Sequence, residues 1–279
     1  MRRLDFNGLD ARAVFDACAR RTHDIALREQ LLACGPSIQI ASNEYERLAP
    51  LAELYDYTGA ALYPFAASLE ELKGLYGRVL RDGGERPTYD AIKQLAPRGV
   101  CPQCGIGRVR TLDHYLPKSL FPELSVAPSN LVPTCRDCNF DKQEHHSHEP
   151  RDYLFHPYFD NWDNYRLIAA QVIYQPRVFL RYSIASPNNA PATVIDRAKS
   201  HFRVLNLGEL YSMNAGAALA EIKLNCRRSG VQGGAPSVSE YLKMQADSAI
   251  REEPNGWKAA MYAALAADAV FSEGAYELI

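Results

Sequence analysis

No apolar run in this chain approaches the ~18 residues needed to cross a bilayer. The longest greasy stretch, Ala259–Phe271, is alanine-rich and is interrupted by Asp268. The opening residues, Met1-Arg2-Arg3-Leu4-Asp5, carry charge but none of the apolar segment that heads a secretory leader. No membrane partner and a cytoplasmic location are therefore expected. A basic excess is missing too: 31 Lys and Arg against 33 Asp and Glu leave a formal charge of −2. Avid binding to nucleic acid normally draws on such an excess. Any affinity of that kind must come from a small basic groove or from a partner. Gly and Pro, at 17 each, are too few for a low-complexity chain, and no internal repeat is visible. What is present is an ordinary globular composition, 47% hydrophobic and 23% charged, over a length that suits two domains or one with large flanks.

Three regions separate by pattern. Residues 1–98 read as a helical packing arm, with apolar residues at helical spacing over Leu9–Cys18, Asp24–Leu32, Glu44–Leu54 and Leu69–Leu80. Asp82-Gly83-Gly84 stops the last of these, Pro87 follows, and Tyr89–Leu95 is a short further helix. Residues 99–160 change character. Prolines at 102, 117, 122, 128, 133, 150 and 157 argue for loops and short strands. Residues 161–279 begin with a β-hairpin, Leu167–Tyr174 and Val178–Ile184 around Gln175-Pro176-Arg177. Helices follow over Thr193–Leu205, Leu210–Asn225, Ser237–Glu252 and Trp257–Phe271. Ser237 and Glu240 make a capping box, and Ser229-Gly230 with Gly233-Gly234 flank a linker-like stretch. The fold class expected is α+β, mostly helical.

Seven cysteines lie at 18, 34, 101, 104, 135, 138 and 226. Four form two pairs, Cys101-x-x-Cys104 and Cys135-x-x-Cys138. Each pair places two sulfurs on one tight turn, and two pairs fill the four positions of a closed tetrahedral site. A structural zinc ion is the expected occupant. Redox dithiols or unrelated core cysteines would not explain why the pairs bracket a second polar motif. That motif is Asp113-His114-x-x-Pro117-x-Ser119, followed by Asn130-Leu131-x-x-x-Cys135-x-x-Cys138-Asn139-x-x-Lys142. Val109–Asp113 alternates like a short strand, so Asp113 and His114 point to opposite sides of it. A second strand through Leu131–Val132 and a helix starting near Thr134–Arg136 would carry Asn139 towards Asp113.

In these residues the sequence resembles the HNH (ββα-metal) endonuclease family, in its zinc-binding branch with four cysteine ligands. The resemblance spans residues 101–142 and interlocks zinc ligands and polar residues at fixed offsets. It implies a divalent-metal-dependent endonuclease that hydrolyses DNA phosphodiester bonds to 5′-phosphate and 3′-hydroxyl ends. Residues 99–160 would be the nuclease module. By that resemblance His114 is the general base, and Asp113 and Asn139 hold a catalytic Mg²⁺ or Mn²⁺. Asn130 ties the loop between the strands and helps orient His114. Many members carry a final His where Asn139 stands, which makes this an H-N-N variant with one carboxylate ligand and modest metal affinity. Phosphate contacts are expected from Arg108, Arg110, Lys118 and Lys142. Free-standing members with helical flanks are often effectors of bacterial anti-phage or mobile-element modules, alongside a partner ATPase or sensor protein. With one site per chain, cutting both strands at one locus would call for a homodimer.

Two other function classes compete. A non-catalytic zinc module that binds nucleic acid or protein needs the cysteines but not His114. A zinc hydrolase acting on another substrate needs an open ligand position, which four cysteines do not leave. Among the remaining histidines, Glu144-His145-His146-Ser147-His148-Glu149 reads as a solvated polar turn, with support of the site as the alternative. His156 belongs to an aromatic anchor, and His23 and His201 sit in helical patterns as structural residues.

Overall fold

A computed structural model describes residues 2–6, 8–59 and 64–279. The chain is α+β and mostly helical, with two small antiparallel sheets. It divides into two compact units, residues 2–160 and residues 161–279.

The first unit opens with three helices. Helix α1 (Ala11–Arg20) starts where the Asp10 carboxylate accepts the Ala13 N–H at 2.7 Å. Asp24 does the same for α2 (Ile25–Ala33), accepting from Leu27 N–H at 2.9 Å. Such caps satisfy amides that have no partner within the helix. Helix α3 covers Gly35–Leu48, so it begins nine residues before the expected Glu44 and stops before Leu54. Pro36 lies in its first turn, where the missing N–H costs nothing, and Pro50 ends it in a 3-10 turn, Ala49–Leu51. Helix α4 (Leu69–Leu75), capped by Ser68, runs directly into a π-helical turn, Tyr76–Arg81. Pro87 marks the first turn of α5 (Arg86–Lys93) rather than a gap before it. His23 is exposed in a bend before α2, not in a helix.

Strands β1 (Thr111–His114) and β2 (Leu131–Thr134) pair antiparallel, with Asp113 opposite Val132 and His114 opposite Leu131. Helix α6 (Arg136–Lys142) follows β2 directly. Strand β1 begins two residues later than the alternation suggests, and β2 starts at the expected Leu131 and runs on to Thr134. The expected break at residue 98 marks no structural boundary. Leu112, Val126 and Leu131 from the central region share one buried cluster with Val14, Phe15, Leu31, Leu72, Leu75 and Ile92. At ~1.5–3 kcal/mol for each large side chain buried, this shared core is what fixes β1 against α4 and α5.

In the second unit β3 (Ile168–Tyr174) and β4 (Val178–Ile184) form the expected hairpin, pairing from Ile168 with Ile184 to Tyr174 with Val178. On β4, Val178, Leu180 and Tyr182 face inward, and α8 and α9 pack on the hairpin. Asn255 is fully buried and braces the hairpin's entry. It accepts from Leu167 N–H at 2.7 Å and donates to the carbonyls of Trp162 and Tyr165. Helix α7 is Ala192–Val204, and His201 is buried on it. Helix α8 runs from Leu207 to Glu252, so the expected linker at 229–234 is helical up to a kink at Gly233 and Gly234. Gly234 has φ +65°, a conformation that side chains disfavour. Helical geometry resumes at Ala235, which places Ser237 inside the new first turn and not at its cap. Helix α9 (Trp257–Ala267) ends at Asp268, which caps the short α10 (Ala269–Ser272). Among the described residues, no helix is long and apolar enough to cross a membrane.

Candidate metal centre and polar cleft

The four cysteines of the two pairs converge. Their sulfurs all lie within 4.8 Å of one another, and all four residues are buried. Ligands at ~2.3 Å in a tetrahedron sit about 3.8 Å apart. The Cys104 and Cys135 sulfurs are separated by 4.0 Å. Two tight turns shape the site. Cys101 N–H donates to the Gly107 carbonyl at 2.7 Å, and Gly107 N–H donates to the Cys104 sulfur at 3.3 Å. A Cβ on Gly107 would meet the Cys135 sulfur at 2.7 Å, so only glycine permits this approach. On the other turn, Cys138 N–H donates to the Cys135 sulfur at 3.4 Å. Hydrogen bonds from the Cys101 side push the thiols of Cys135 and Cys138 up. A dication among these sulfurs takes the place of the shared protons, so the donor set fits a metal such as zinc.

Beside this cluster lies a polar cleft of ≈ 210 Å³. Asp113 and His114 enter it from β1, Asn139 from α6, and Lys118 from the loop after β1. Tyr76 and Arg81 close its other side from the π-helical turn. His114 is only 6% exposed. Its Nε2–H donates to the Ser125 carbonyl at 2.8 Å, because a carbonyl can only accept. That bond leaves the lone pair on Nδ1. Burial, and then the Lys118 charge, push His114 down to about 3, so its imidazole is neutral across the physiological range. Its ring meets the Tyr76 ring edge-on, with centroids 4.4 Å apart.

Asp113 is buried and its carboxyl is raised, by burial first, with Lys142 opposing the shift. Lys142 Nζ lies 3.1 Å from Asp113 Oδ2 and donates to the His114 carbonyl at 2.8 Å. With only 2% of its side chain exposed, Lys142 turns inward and is not a phosphate contact. It clamps the two residues at the end of β1. Arg108 and Arg110 are exposed but do not line the cleft, so of the four expected cations only Lys118 stands there. Asn130 sits beneath the cleft, fully buried. It accepts from Leu116 N–H at 2.8 Å and donates to the Leu116 carbonyl at 3.0 Å, bracing the segment that follows His114.

Of the histidines after α6, His148 is exposed, as expected of a solvated turn, but His145 and His146 are partly buried. His145 Nε2–H donates to the Asp152 carbonyl at 3.0 Å, and His146 Nδ1 bonds the Tyr153 hydroxyl at 3.1 Å. Burial pushes His146 down to about 4. His156 is buried against Tyr115 and hydrogen-bonds the Tyr45 hydroxyl at 2.8 Å. Tyr76 and Arg81 were not expected at the site. Their stretch reads only as amphipathic helix, and nothing nearby in sequence ties them to His114.

No protein-family model matches the chain, and no solved structure matches it. It is similar to protein ea31 of Escherichia phage lambda, with 27% identity over 297 aligned positions, covering 98% of this chain and all of that protein.

Proposed function

We propose that this protein is an HNH-type endonuclease that hydrolyses phosphodiester bonds of DNA. The observation that carries this reading is the convergence of Asp113, His114, Asn139 and Lys118 on one cleft next to a four-cysteine cluster. The order β1, β2, α6, with the second cysteine pair at the head of the helix, supports the resemblance at the level of backbone. His114 takes the proton of the attacking water on Nδ1, the nitrogen left free by the bond to Ser125. Phosphate entering beside Lys118 offsets one of the charges that depress the imidazole, and moves it towards a useful basicity. Asp113 and Asn139 would hold a Mg²⁺ or Mn²⁺ ion, which would offset charge on the phosphate and the leaving oxygen. Asn130 keeps the loop behind the base in place. The four-cysteine site serves structure, holding α6 so that Asn139 faces the cleft.

Full-length similarity to a phage-encoded protein favours the mobile-element side of the biological setting, with anti-phage defence, a partner ATPase or sensor, and dimerisation as further proposals. A second reading has one observation in its favour. The Lys142 ammonium already neutralises Asp113, as suits a zinc module that binds nucleic acid without cutting it. Supercoiled plasmid separates the two. With one zinc per chain and Mg²⁺ or Mn²⁺ present, the wild type is expected to yield nicked or linear product, and His114→Ala to be slower by about 10²–10⁴-fold. Retained cleavage by His114→Ala, or none by the wild type on duplex, single-stranded DNA or RNA, would reject the nuclease reading.

A further inference from the structure

Two cations lie against one aromatic ring at the edge of the cleft. Lys118 Nζ lies 5.6 Å from the centroid of Tyr76, and the Arg81 guanidinium carbon lies 5.8 Å from it. The same ring abuts His114 and is held in place by its hydroxyl, which donates to the Leu112 carbonyl at 2.8 Å. Among the described residues, Lys118 has no hydrogen-bonded or ion-paired acid, although it is only partly exposed. Arg81 pairs through Nε and one terminal nitrogen with the adjacent, exposed Asp82, which leaves its other terminal nitrogen for a ligand. The acids that act on Lys118 from the cleft wall are Asp113, which is paired with Lys142, and then Glu144; neither forms an ion pair with Lys118. Burial first, and then Arg81, push the Lys118 ammonium down, as expected of like charges gathered around one cavity.

Backbone geometry accounts for the placement. In an α-helix, positions five apart point about 140° away from each other. Between Tyr76 and Arg81 the helix widens to i→i+5 bonding, as Asp82 N–H to the Gly77 carbonyl shows, and that angle narrows. Both side chains therefore reach the same opening. Such π turns often occur where function requires an otherwise unfavourable placement. Beyond Arg81 and Lys118 the cleft continues into a shallow groove along α4 and the π turn, where Lys73 and Arg78 are already paired with Glu70 and Glu71, so the cations still open to a ligand are those at the cleft itself.

We propose that Arg81 and Lys118, set on the ring of Tyr76, form the phosphate clamp of this protein, gripping the DNA backbone beside His114. The clamp rests on the nuclease reading and extends it to the N-terminal helices. Tyr76 is a positioning residue: it holds the two cations and the edge of the base in register without touching substrate. Local cations of this kind also account for DNA recognition by a chain of net charge −2.

The test uses the full, zinc-loaded chain carrying His114→Ala, so that binding is read without cleavage. Affinity for fluorescein-labelled duplex DNA of mixed sequence is measured by anisotropy from about 50 to about 200 mM salt. Arg81→Ala and Lys118→Ala are each expected to flatten the slope of log affinity against log salt by about 0.9, and the double variant by about twice that. Tyr76→Leu should resemble the double variant, whereas Tyr76→Phe, which keeps the ring but loses its bond to the Leu112 carbonyl, should fall between the parent and Tyr76→Leu. Arg47→Ala, on α3 outside the cleft, should leave it unchanged. Unaltered slopes for Arg81→Ala and Lys118→Ala in a parent that binds would overturn the clamp alone. A parent that binds no DNA, together with a wild type that cuts none, would overturn the reading beneath it. Should Tyr76→Leu fail to fold or to hold zinc, the two single cation variants decide.

Discussion

Replacing Lys142 by methionine should cost about 3–5 kcal/mol of folding free energy, the range for leaving one member of a buried ion pair alone. Both partners are buried, with 2% and 8% of their side chains exposed, so water cannot take over from the missing ammonium. Two losses add here: Asp113 loses its counter-charge, and the His114 carbonyl loses its donor. The pH dependence has a definite sign. Burial already raises Asp113, and Lys142 opposes that rise. Without Lys142 the folded-state value climbs further above the unfolded one. The folded chain then holds a proton that the unfolded chain has lost, and stability falls as pH rises through that window. The variant's deficit should therefore be larger at pH 8 than at pH 6. Adding Asp113→Asn should recover most of it, since removing both charges is often close to neutral. Zinc release into a colorimetric chelator during urea unfolding reports on the cysteine-bearing unit, with each variant compared to wild type at the same pH. A loss below about 1 kcal/mol, the range of an exposed pair, would refute the account of Lys142 as a buried clamp. So would a double variant no better than the single.

Three further outcomes follow from the same geometry. Purified chain should contain one zinc per molecule by elemental analysis, and Cys138→Ser should abolish it and make residues 2–160 sensitive to protease. Asn130→Ala should destabilise by about 2–4 kcal/mol in urea, because it strands both polar groups of buried Leu116. His114 makes folding acid-sensitive. Its folded-state value is about 3 against 6.5 for the free side chain, so the unfolded chain binds the extra proton and stability is lost as pH falls below 6.5. Between pH 7 and pH 5 the wild type should lose about 2 kcal/mol more than His114→Gln, and equal losses would contradict a buried neutral imidazole.

What the sequence made legible was whatever depends on short range. Each Cys-x-x-Cys turn is a local geometry, and the position of α6 relative to β2 follows from a few residues around Cys135. The hairpin of the second unit was equally plain, because both seven-residue strands are rich in β-branched and aromatic residues around Gln175-Pro176-Arg177, although burial alternates only on β4. Contacts made through packing were not legible. Tyr76 and Arg81 face His114 only because the shared core presses α4 against β1 and a π turn rotates them inward. Lys142 read as a phosphate ligand because it stands one turn after Asn139, yet its ammonium pairs with Asp113 on β1. Arg108 and Arg110 are close to Asp113 in sequence but emerge beside the cysteine turn, away from the cleft. Pro87 read as part of the break after Asp82-Gly83-Gly84, yet it lies in the first turn of α5, as Pro36 does in α3, a place where a residue without an N–H costs nothing.

Leu112, Val126 and Leu131 lie in the same core as Phe15, Leu72 and Leu75, so the heritable unit of this site is the whole of residues 2–160. A motif that reads as a detachable cassette between residues 99 and 160 would, if excised or transplanted, arrive without one wall of its own cleft. Recombination could bring such a cassette to a new host only where helices already offered an equivalent apolar face and an equivalent tyrosine. A substitution at Leu72 or Leu75, far from any metal ligand in sequence, alters the seat of His114 as directly as a change in the strand that bears it.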